Sequence, residues 1–230
     1  MEFKTALIVG AGPGLSASLA RLFTRHGLQV ALASRNPDKL SDLAHETAAA
    51  TFACEATEPE EVAALFDVVV STQGVPDIVV FNASARARGP ITELDPGDVA
   101  RAIAVSGYAG FLVVQQAARL MVPRGAGTIL LTGASASVKG YPNSSAFAMG
   151  KFALRGLASA MARELSPKGV HVAHFVIDGG IRSATRPDQN DNPDSFLDPD
   201  AIAETYWQVA NQPRSAWTWE VELRPWVERF

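Results

Sequence analysis

Short apolar runs rich in valine, isoleucine and leucine recur along the whole chain, and they restrict its fold more than any other feature. Most are apolar without alternation, as expected of parallel strands that are buried on both faces. Segments with helical periodicity separate them, such as the one that places Leu15, Leu19 and Leu22 on one face. The predicted strands are Lys4–Val9, Gln29–Ala33, Ala50–Cys54, Asp77–Phe81, Gly127–Thr132, Val170–Ile177 and Trp219–Leu223. The repetition of strand, crossover helix and strand predicts a doubly wound α/β fold with helices on both faces of a parallel sheet.

A single domain over residues 1–230 is expected from this length, with 47% hydrophobic and 19% charged residues. The net charge of -4, without a run of lysines and arginines, disfavours nucleic acid or an anionic membrane as a partner. Cys54 is the only cysteine, so no internal disulfide can form. The first apolar run breaks at Gly10, too early for a signal sequence or a membrane span. We therefore expect a cytoplasmic location.

A glycine cluster joins the first predicted strand to the first predicted helix in IVGAGPGLSASLA. Gly10, Gly12 and Gly14 would let the backbone turn tightly and approach a pyrophosphate, whose charge meets the N–H groups at the helix start. A flexible turn without a ligand is the alternative. The spacing is G-x-x-x-G-x-G with Ser16 in place of the last glycine, and Leu15 stands where a G-x-G-x-x-G pattern has its third glycine.

Several further motifs accompany the glycines. ALASRNPDKL follows the second strand, Glu55 the third and Asn82–Ser84 the fourth, while Lys151 lies on a later helix and Asp178–Ser183 follow the sixth strand. With these motifs the chain resembles the short-chain dehydrogenase/reductase family. The resemblance implies a Rossmann-type sheet with strand order 3-2-1-4-5-6-7, a nicotinamide cofactor and a small carbonyl-like substrate.

The cofactor is expected to be NADP(H) rather than NAD(H). Where enzymes that use NAD carry an acidic residue for the ribose hydroxyl, this chain has Ser34 followed by Arg35, which suit a 2′-phosphate. Arg35 as an ordinary solvated charge is the alternative. The resemblance implies that Glu55 lies near the adenine, and that Ile181 and Ser183 contact the nicotinamide carboxamide. The candidate cofactor residues are Gly10, Gly12, Pro13, Gly14, Leu15, Ser34, Arg35, Asn36, Glu55, Asn82, Ala83, Ser84, Lys151, Gly179, Ile181 and Ser183.

The reaction centre implied by the resemblance contains a tyrosine, a lysine four residues later, a serine and an asparagine. Positions 147 and 151 share a helical face, and Lys151 matches the lysine. Phe147 takes the tyrosine position, however, and Ser106 takes the asparagine position. Ser135 lies next to the usual serine position, which holds Ala134. These four residues, Lys151, Phe147, Ser135 and Ser106, are the candidate catalytic set.

Three interpretations of the missing phenol are open. Another group could donate the proton, namely Tyr141, Ser135, Ser144 or Lys151. The protein could instead bind NADP(H) without chemistry, as a sensor or an inactive partner in an oligomer. Alternatively, the substrate could be an activated C=C or C=N bond that needs less acid. A general acid typically contributes about 10²–10⁴-fold, so its loss without replacement would make turnover negligible.

Other segments give weaker signals. Arg86 and Arg88 are expected at the mouth of the pocket, where they could attract an anionic substrate, although solvation or contact with the cofactor diphosphate is the more common role. The aperiodic segment 182–199 is expected to be a substrate lid. The histidines lack spacing for a shared metal. By resemblance, the helices at Asp98–Val122 and Ser144–Ser166 and the last strand imply a homodimer or homotetramer.

Overall fold

The computed structural model describes residues 2–183, 185–187 and 194–227. Their strands are β1 (Thr5–Val9), β2 (Gln29–Ser34), β3 (Ala50–Ala53), β4 (Ile78–Phe81), β5 (Gly127–Thr132), β6 (Val170–Ile177) and β7 (Glu220–Leu223). The helices are α1 (Leu15–Arg25), α2 (Ser41–Thr47), α3 (Pro59–Gln73), α4 (Pro96–Ile103), α5 (Ala109–Arg124), α6 (Ser145–Leu165) and α7 (Pro199–Ala210). All seven strands are parallel, in the order β3-β2-β1-β4-β5-β6-β7. The predicted Rossmann-type sheet is confirmed.

The predicted strand bounds differ from the observed ones by one residue where a side chain or a neighbour intervenes. Asp77 was expected to begin β4, but its carboxylate accepts hydrogen bonds from the backbone N–H of Lys4 at 2.8 Å and of Thr5 at 3.2 Å. Asp77 therefore anchors the start of β1 from just before β4. Strand β2 extends one residue beyond the prediction, to Ser34, because this residue pairs with Ala53 of β3.

The core consists of two apolar layers, one on each face of the sheet. Side chains of α1 and α7, such as Phe23 and Tyr206, are buried on one face, and side chains of α3, α5 and α6, such as Phe66 and Leu154, are buried on the other. Strands β4 and β5 have every residue buried. Burial on both faces explains why the strands read as continuous apolar runs rather than alternating ones.

The helix that carries Lys151 packs closely against a π-helical turn, Ala104–Tyr108, between α4 and α5. A Cβ atom at Gly150 would lie 2.7 Å from the Cβ of Ser106, so only glycine permits this approach. Such π-turns inside helices are common at functional sites. Here the turn brings Ser106 next to Gly150, the residue before Lys151.

One helical run among the described residues, Pro96–Arg124, is long and apolar enough to cross a membrane by length and composition alone. Its most apolar stretch is 44% buried in the fold, and the core helix of a globular protein passes the same test.

Candidate functional site

A cavity of about 360 Å³ lies at the carboxyl ends of the central strands. The strand order reverses direction between β1 and β4, and ligands of open α/β sheets bind at such a switch point. Ten of the candidate cofactor residues line this cavity: Gly10, Gly12, Pro13, Ser34, Arg35, Asn36, Glu55, Asn82, Ala83 and Ser84. The structure therefore brings together residues that follow four different strands.

The glycine turn forms the floor of the cavity. Gly10 has a φ of 83°, and a Cβ there would lie 2.3 Å from the backbone nitrogen of Ala83, so the backbones of the two loops touch. Asn82 Nδ2 donates to Ser16 Oγ at 2.7 Å, and Ser16 Oγ donates to the carbonyl oxygen of Gly10 at 3.3 Å. Ser16, where the glycine pattern has its last glycine, thus fastens the turn to the end of β4.

The start of α1 is open to an anion. Its N-cap, Gly14, offers no side chain to the first N–H groups, and the first turn contains no acidic residue. The positive end of the helix dipole is therefore uncompensated by a side chain. Gly12 has no atom within 4 Å of the place where a Cβ would stand. The geometry suits a diphosphate bound by backbone N–H groups.

The opposite end of the cavity is polar and contains two cations. Ser34 Oγ is buried without a hydrogen-bond partner among the described residues, which makes it available to a ligand hydroxyl or phosphate. The Arg35 guanidinium is 3.9 Å from a carboxylate oxygen of Glu55. Lys39, which sequence reasoning missed, also lines the cavity because the 3₁₀ turn Pro37–Leu40 carries it there.

The other residues that line the cavity and were not expected are Ala11, Leu40, Cys54, Ala56 and Val105. Cys54 is buried, and burial together with the nearby carboxylates of Glu61 and Glu55 raises the pKa of its thiol to about 11. A thiol with so high a pKa is not a nucleophile at neutral pH. Its position was foreseeable, since Cys54 directly precedes Glu55.

Lys151 is completely enclosed at the reaction end of the site. Its Nζ donates a hydrogen bond to the carbonyl oxygen of Thr132, at the end of β5, with a length of 2.7 Å. Burial, with a smaller effect from the charge of Arg86, lowers the pKa of Lys151 to about 7. This amine can therefore gain or lose a proton near neutral pH, as a general acid or base requires.

Phe147 lies one turn before Lys151 on α6, and the two residues point into the same site as expected. The Lys151 Nζ is 5.9 Å from the centre of the Phe147 ring, which is only 8% exposed. The Arg86 guanidinium lies over the ring, with its Cζ 4.1 Å from the ring centre. An arginine therefore covers the aromatic side chain that occupies position 147.

Ser135 and Ser106 have different surroundings. Ser135 donates a hydrogen bond to Asp178, a buried residue that also binds Lys139 at 3.3 Å. Burial would raise the pKa of Asp178, but the hydrogen bonds and the charges of Lys139 and Arg224 hold it below its usual range. The side chain of Ser106 binds the backbone of Ala85, accepting from its nitrogen at 3.1 Å and donating to its oxygen at 3.3 Å. Ser106 thus fixes the loop after β4.

Six of the candidate cofactor residues lie outside the cavity lining: Gly14, Leu15, Lys151, Gly179, Ile181 and Ser183. The Leu15 side chain is buried in the core, so only its backbone can face a ligand. Gly179, Ile181 and Ser183 follow β6, where Ile181 pairs with Leu197 and Ser183 with Arg186. The expected lid, 182–199, starts beside these two isolated bridges and ends at Pro199, the first residue of α7. Its residues 184 and 188–193 lie outside the described part of the chain.

The histidines of β6 are structural. His171 Nε2 is 2.8 Å from the carbonyl oxygen of Thr218, and His174 Nδ1 is 3.1 Å from Glu220. Burial is the main cause that lowers the pKa of His174 to about 4, so this ring is neutral at physiological pH. Within the described ranges no group of histidine, cysteine, aspartate and glutamate could hold a metal ion.

A family model described as short chain dehydrogenase matches residues 4–194, which is most of the chain. The chain belongs to the short-chain dehydrogenase family. Members of this family are oxidoreductases that bind a nicotinamide cofactor and act on small molecules. The unpartnered Ser34 hydroxyl, the open start of α1 and the close approach of Gly10 to Ala83 fit such a dinucleotide.

Two relatives show how far the sequence similarity extends. A secoisolariciresinol dehydrogenase of Forsythia intermedia is 34% identical over 181 residues, which are 75% of this chain and 64% of that protein. The chain thus spans slightly less than two thirds of the length of that relative. An uncharacterized oxidoreductase of Staphylococcus aureus is 27% identical over 228 residues, 96% of this chain and 97% of that protein.

Solved structures agree with this assignment. A short-chain dehydrogenase from Rhodopseudomonas palustris superposes with a TM-score of 0.85 at 34% identity, over 97% of this chain and 99% of that one. A metagenomic short-chain oxidoreductase in complex with NADP superposes with a TM-score of 0.83 at 26% identity, over 96% and 97% of the two chains.

Proposed function

We propose that this short-chain dehydrogenase is an NADP(H)-dependent oxidoreductase that acts on a small carbonyl-like substrate through an atypical reaction centre. The observation that carries the cofactor assignment is the polar end of the cavity. There the buried Ser34 hydroxyl has no hydrogen-bond partner among the described residues, and two cations, Arg35 and Lys39, line the same cavity. This combination favours a ribose that bears a 2′-phosphate over one that bears a free hydroxyl. The relative solved with NADP supports the same choice.

The chain's own groups would divide the chemistry as follows. When bound, NADPH supplies a hydride to the substrate carbonyl carbon and is oxidised to NADP⁺, while the carbonyl oxygen takes up one proton. Lys151 is the best-supported source of this proton, because its pKa of about 7 matches the task. By resemblance to the family lysine, Lys151 would also bind the cofactor ribose. Ser135 would polarise the carbonyl only after its hydroxyl turns from Asp178 to the substrate.

The other proton donors that the sequence left open are less suitable. Tyr141 is 46% exposed, so its hydroxyl competes with water. Ser144 precedes α6 as its N-cap and makes no side-chain capping bond. Neither residue is buried by the fold.

A screen for NADPH oxidation across aldehydes, ketones, quinones, enones and imines tests the proposed activity. We expect turnover with at least one class, and calorimetry should show tighter binding of NADPH than of NADH. The second candidate function, NADP(H) binding without turnover, is favoured by the absence of an ionisable group at Phe147. Tight NADPH binding with no turnover in any class would establish this alternative, whereas no binding of either cofactor would refute both.

Replacing Arg35 with alanine tests the cofactor preference. We expect NADPH to bind about 10- to 100-fold more weakly, since the variant loses a charge-assisted contact worth roughly 1.5–3 kcal/mol, and NADH affinity to change less than about twofold. Calorimetry with both cofactors gives the two dissociation constants. Arg25→Ala is the matched control, because Arg25 is similarly exposed but lies at the far end of α1. An unchanged NADPH affinity in Arg35→Ala would contradict the assignment.

Assembly into a homodimer or homotetramer and a cytoplasmic location are also part of the proposal. Large apolar side chains are exposed on the two helical segments that the resemblance assigns to oligomer contacts. Tyr108 and Phe111 stack at 6.1 Å near the start of α5, while Met149 and Phe152 are exposed on α6. Burial of these side chains against a second copy would be favourable.

A further inference from the structure

Arg86, which lies over the Phe147 ring, has two further arginines near it, Arg88 and Arg186. Arg86 and Arg88 belong to the loop after β4, and Arg186 follows β6. All three side chains are exposed, and none of them forms an ion pair with a carboxylate in the part of the chain that the structure describes. Burial, with smaller effects from the charges of Arg88 and Arg186, lowers the pKa of Arg86, so each of the other two arginines repels Arg86.

Two of these guanidiniums lie over aromatic rings on different elements. Arg86 lies over Phe147, and the Cζ of Arg186 is 5.8 Å from the centre of the Phe196 ring. The same ring and the Arg186 Cδ lie 2.8 Å and 3.3 Å from the place where a Cβ of Gly180 would stand. Arg186 is therefore fixed beside the segment that follows β6. An aromatic face holds a guanidinium in position while leaving its N–H groups free for an anion.

The phosphate groups of the cofactor have other partners at the dinucleotide cavity. None of the three arginines lines the dinucleotide cavity. The diphosphate has the start of α1, and a 2′-phosphate has Arg35 and Lys39 at the other end. The three arginines are therefore available to the substrate, which would lie against the nicotinamide.

We propose that Arg86 and Arg186 bind an anionic oxygen group of the substrate, so that this dehydrogenase acts on carbonyl compounds that carry a carboxylate or a phosphate. The inference rests on the proposed function and names its substrate class. Mutual repulsion of like charges is relieved when an anion binds between them. Planar guanidiniums match the geometry of both oxygen groups. Phe147 takes the position of the family tyrosine, and in this proposal its role is to support Arg86 with its ring.

Calorimetry on the protein loaded with NADP⁺ tests the inference without requiring turnover. The probes are two pairs that share a carbon skeleton and differ in charge: 4-oxopentanoate with its methyl ester, and dihydroxyacetone phosphate with dihydroxyacetone. We expect the anionic member of at least one pair to bind about tenfold or more tightly than the neutral one. The pair that shows the larger ratio identifies the anion as carboxylate or phosphate.

Variants connect the preference to the named arginines. Arg86→Met and Arg186→Met should each reduce the anion-to-neutral ratio to below about threefold, while the dissociation constant of NADP⁺ stays within about twofold of wild type. Arg25→Met removes the same charge far from the site and should leave the ratio unchanged. Equal binding within both pairs, or an unaltered ratio in both variants, would overturn the inference while leaving the proposed function intact. A failure of the wild type to bind NADP⁺ would instead overturn the proposed function and the inference with it.

Discussion

Replacing Lys151 with methionine is expected to lower kcat/KM for NADPH oxidation by about 10²–10⁴-fold, the range that a general acid contributes. Lys151 is 2% exposed, and its Nζ donates one hydrogen bond among the described residues, to the carbonyl oxygen of Thr132. Methionine has a similar volume, so the helix should keep its packing. Steady-state kinetics and NADPH calorimetry measure the proton-transfer and binding effects separately. Retention of more than a tenth of the wild-type kcat would contradict the role of Lys151.

The same variant should alter how stability depends on pH. The pKa of Lys151 is about 7 in the folded protein and 10.5 when unfolded, so between these values the unfolded chain binds more protons. The free energy of unfolding should therefore rise with pH in this window, and the contribution of this residue between pH 7 and pH 9 is about 2 kcal/mol. Denaturant titrations at both pH values should show this rise in the wild type and a smaller one, by about that amount, in Lys151→Met. Equal rises in the two proteins would show that Lys151 is not buried as the structure has it.

Replacing Phe147 with tyrosine is expected to raise kcat towards a neutral ketone by about 10²-fold. The new hydroxyl would lie in a nearly enclosed site on the same helical face as Lys151. The protonated amine of Lys151 would favour the ionised form of this phenol and lower its pKa. The phenol would then be a better acid at neutral pH. Single-turnover measurements with preloaded NADPH would report the chemical step directly.

Phe152→Tyr is the control for this gain. Phe152 lies on the same helix but is 45% exposed, so its hydroxyl should leave kcat unchanged. Activity that is present only in Phe147→Tyr would favour the non-catalytic alternative for the natural protein. A gain of less than about threefold over an active wild type would contradict the idea that a missing phenol limits the reaction.

The fold could be predicted almost completely from the sequence, because buried parallel strands have a local apolar signature and the family resemblance implies their order. Gly10 and Gly12 could be assigned to the cofactor site because their glycine motif joins a predicted strand to a predicted helix. Lys39 and Val105 could not be assigned to the cavity, since a 3₁₀ turn and a π-turn bring them there. Periodicity rules describe regular helices and strands, and they do not describe such turns.

The reaction centre was only partly predictable. The pairing of Phe147 and Lys151 on one helical face follows from their spacing, and the structure has it. The burial of Lys151 and its bond to Thr132 depend on how α6 packs against β5, which no local pattern specifies. Arg86 was expected near the pocket mouth, but its place above the Phe147 ring arises from contact between elements distant in sequence.

The loop after β4 connects the two halves of the site mechanically. Asn82 is tied to the glycine turn through Ser16, Ala85 is clamped by Ser106, and Arg86 is the next residue. We expect a ligand that shifts the glycine turn to shift Arg86 as well, because only five residues, 82–86, include both contacts. Thermodynamic linkage then requires that the factor by which the cofactor changes the affinity for the substrate equals the factor by which the substrate changes the affinity for the cofactor. The two ligands would therefore bind cooperatively whichever of them binds first.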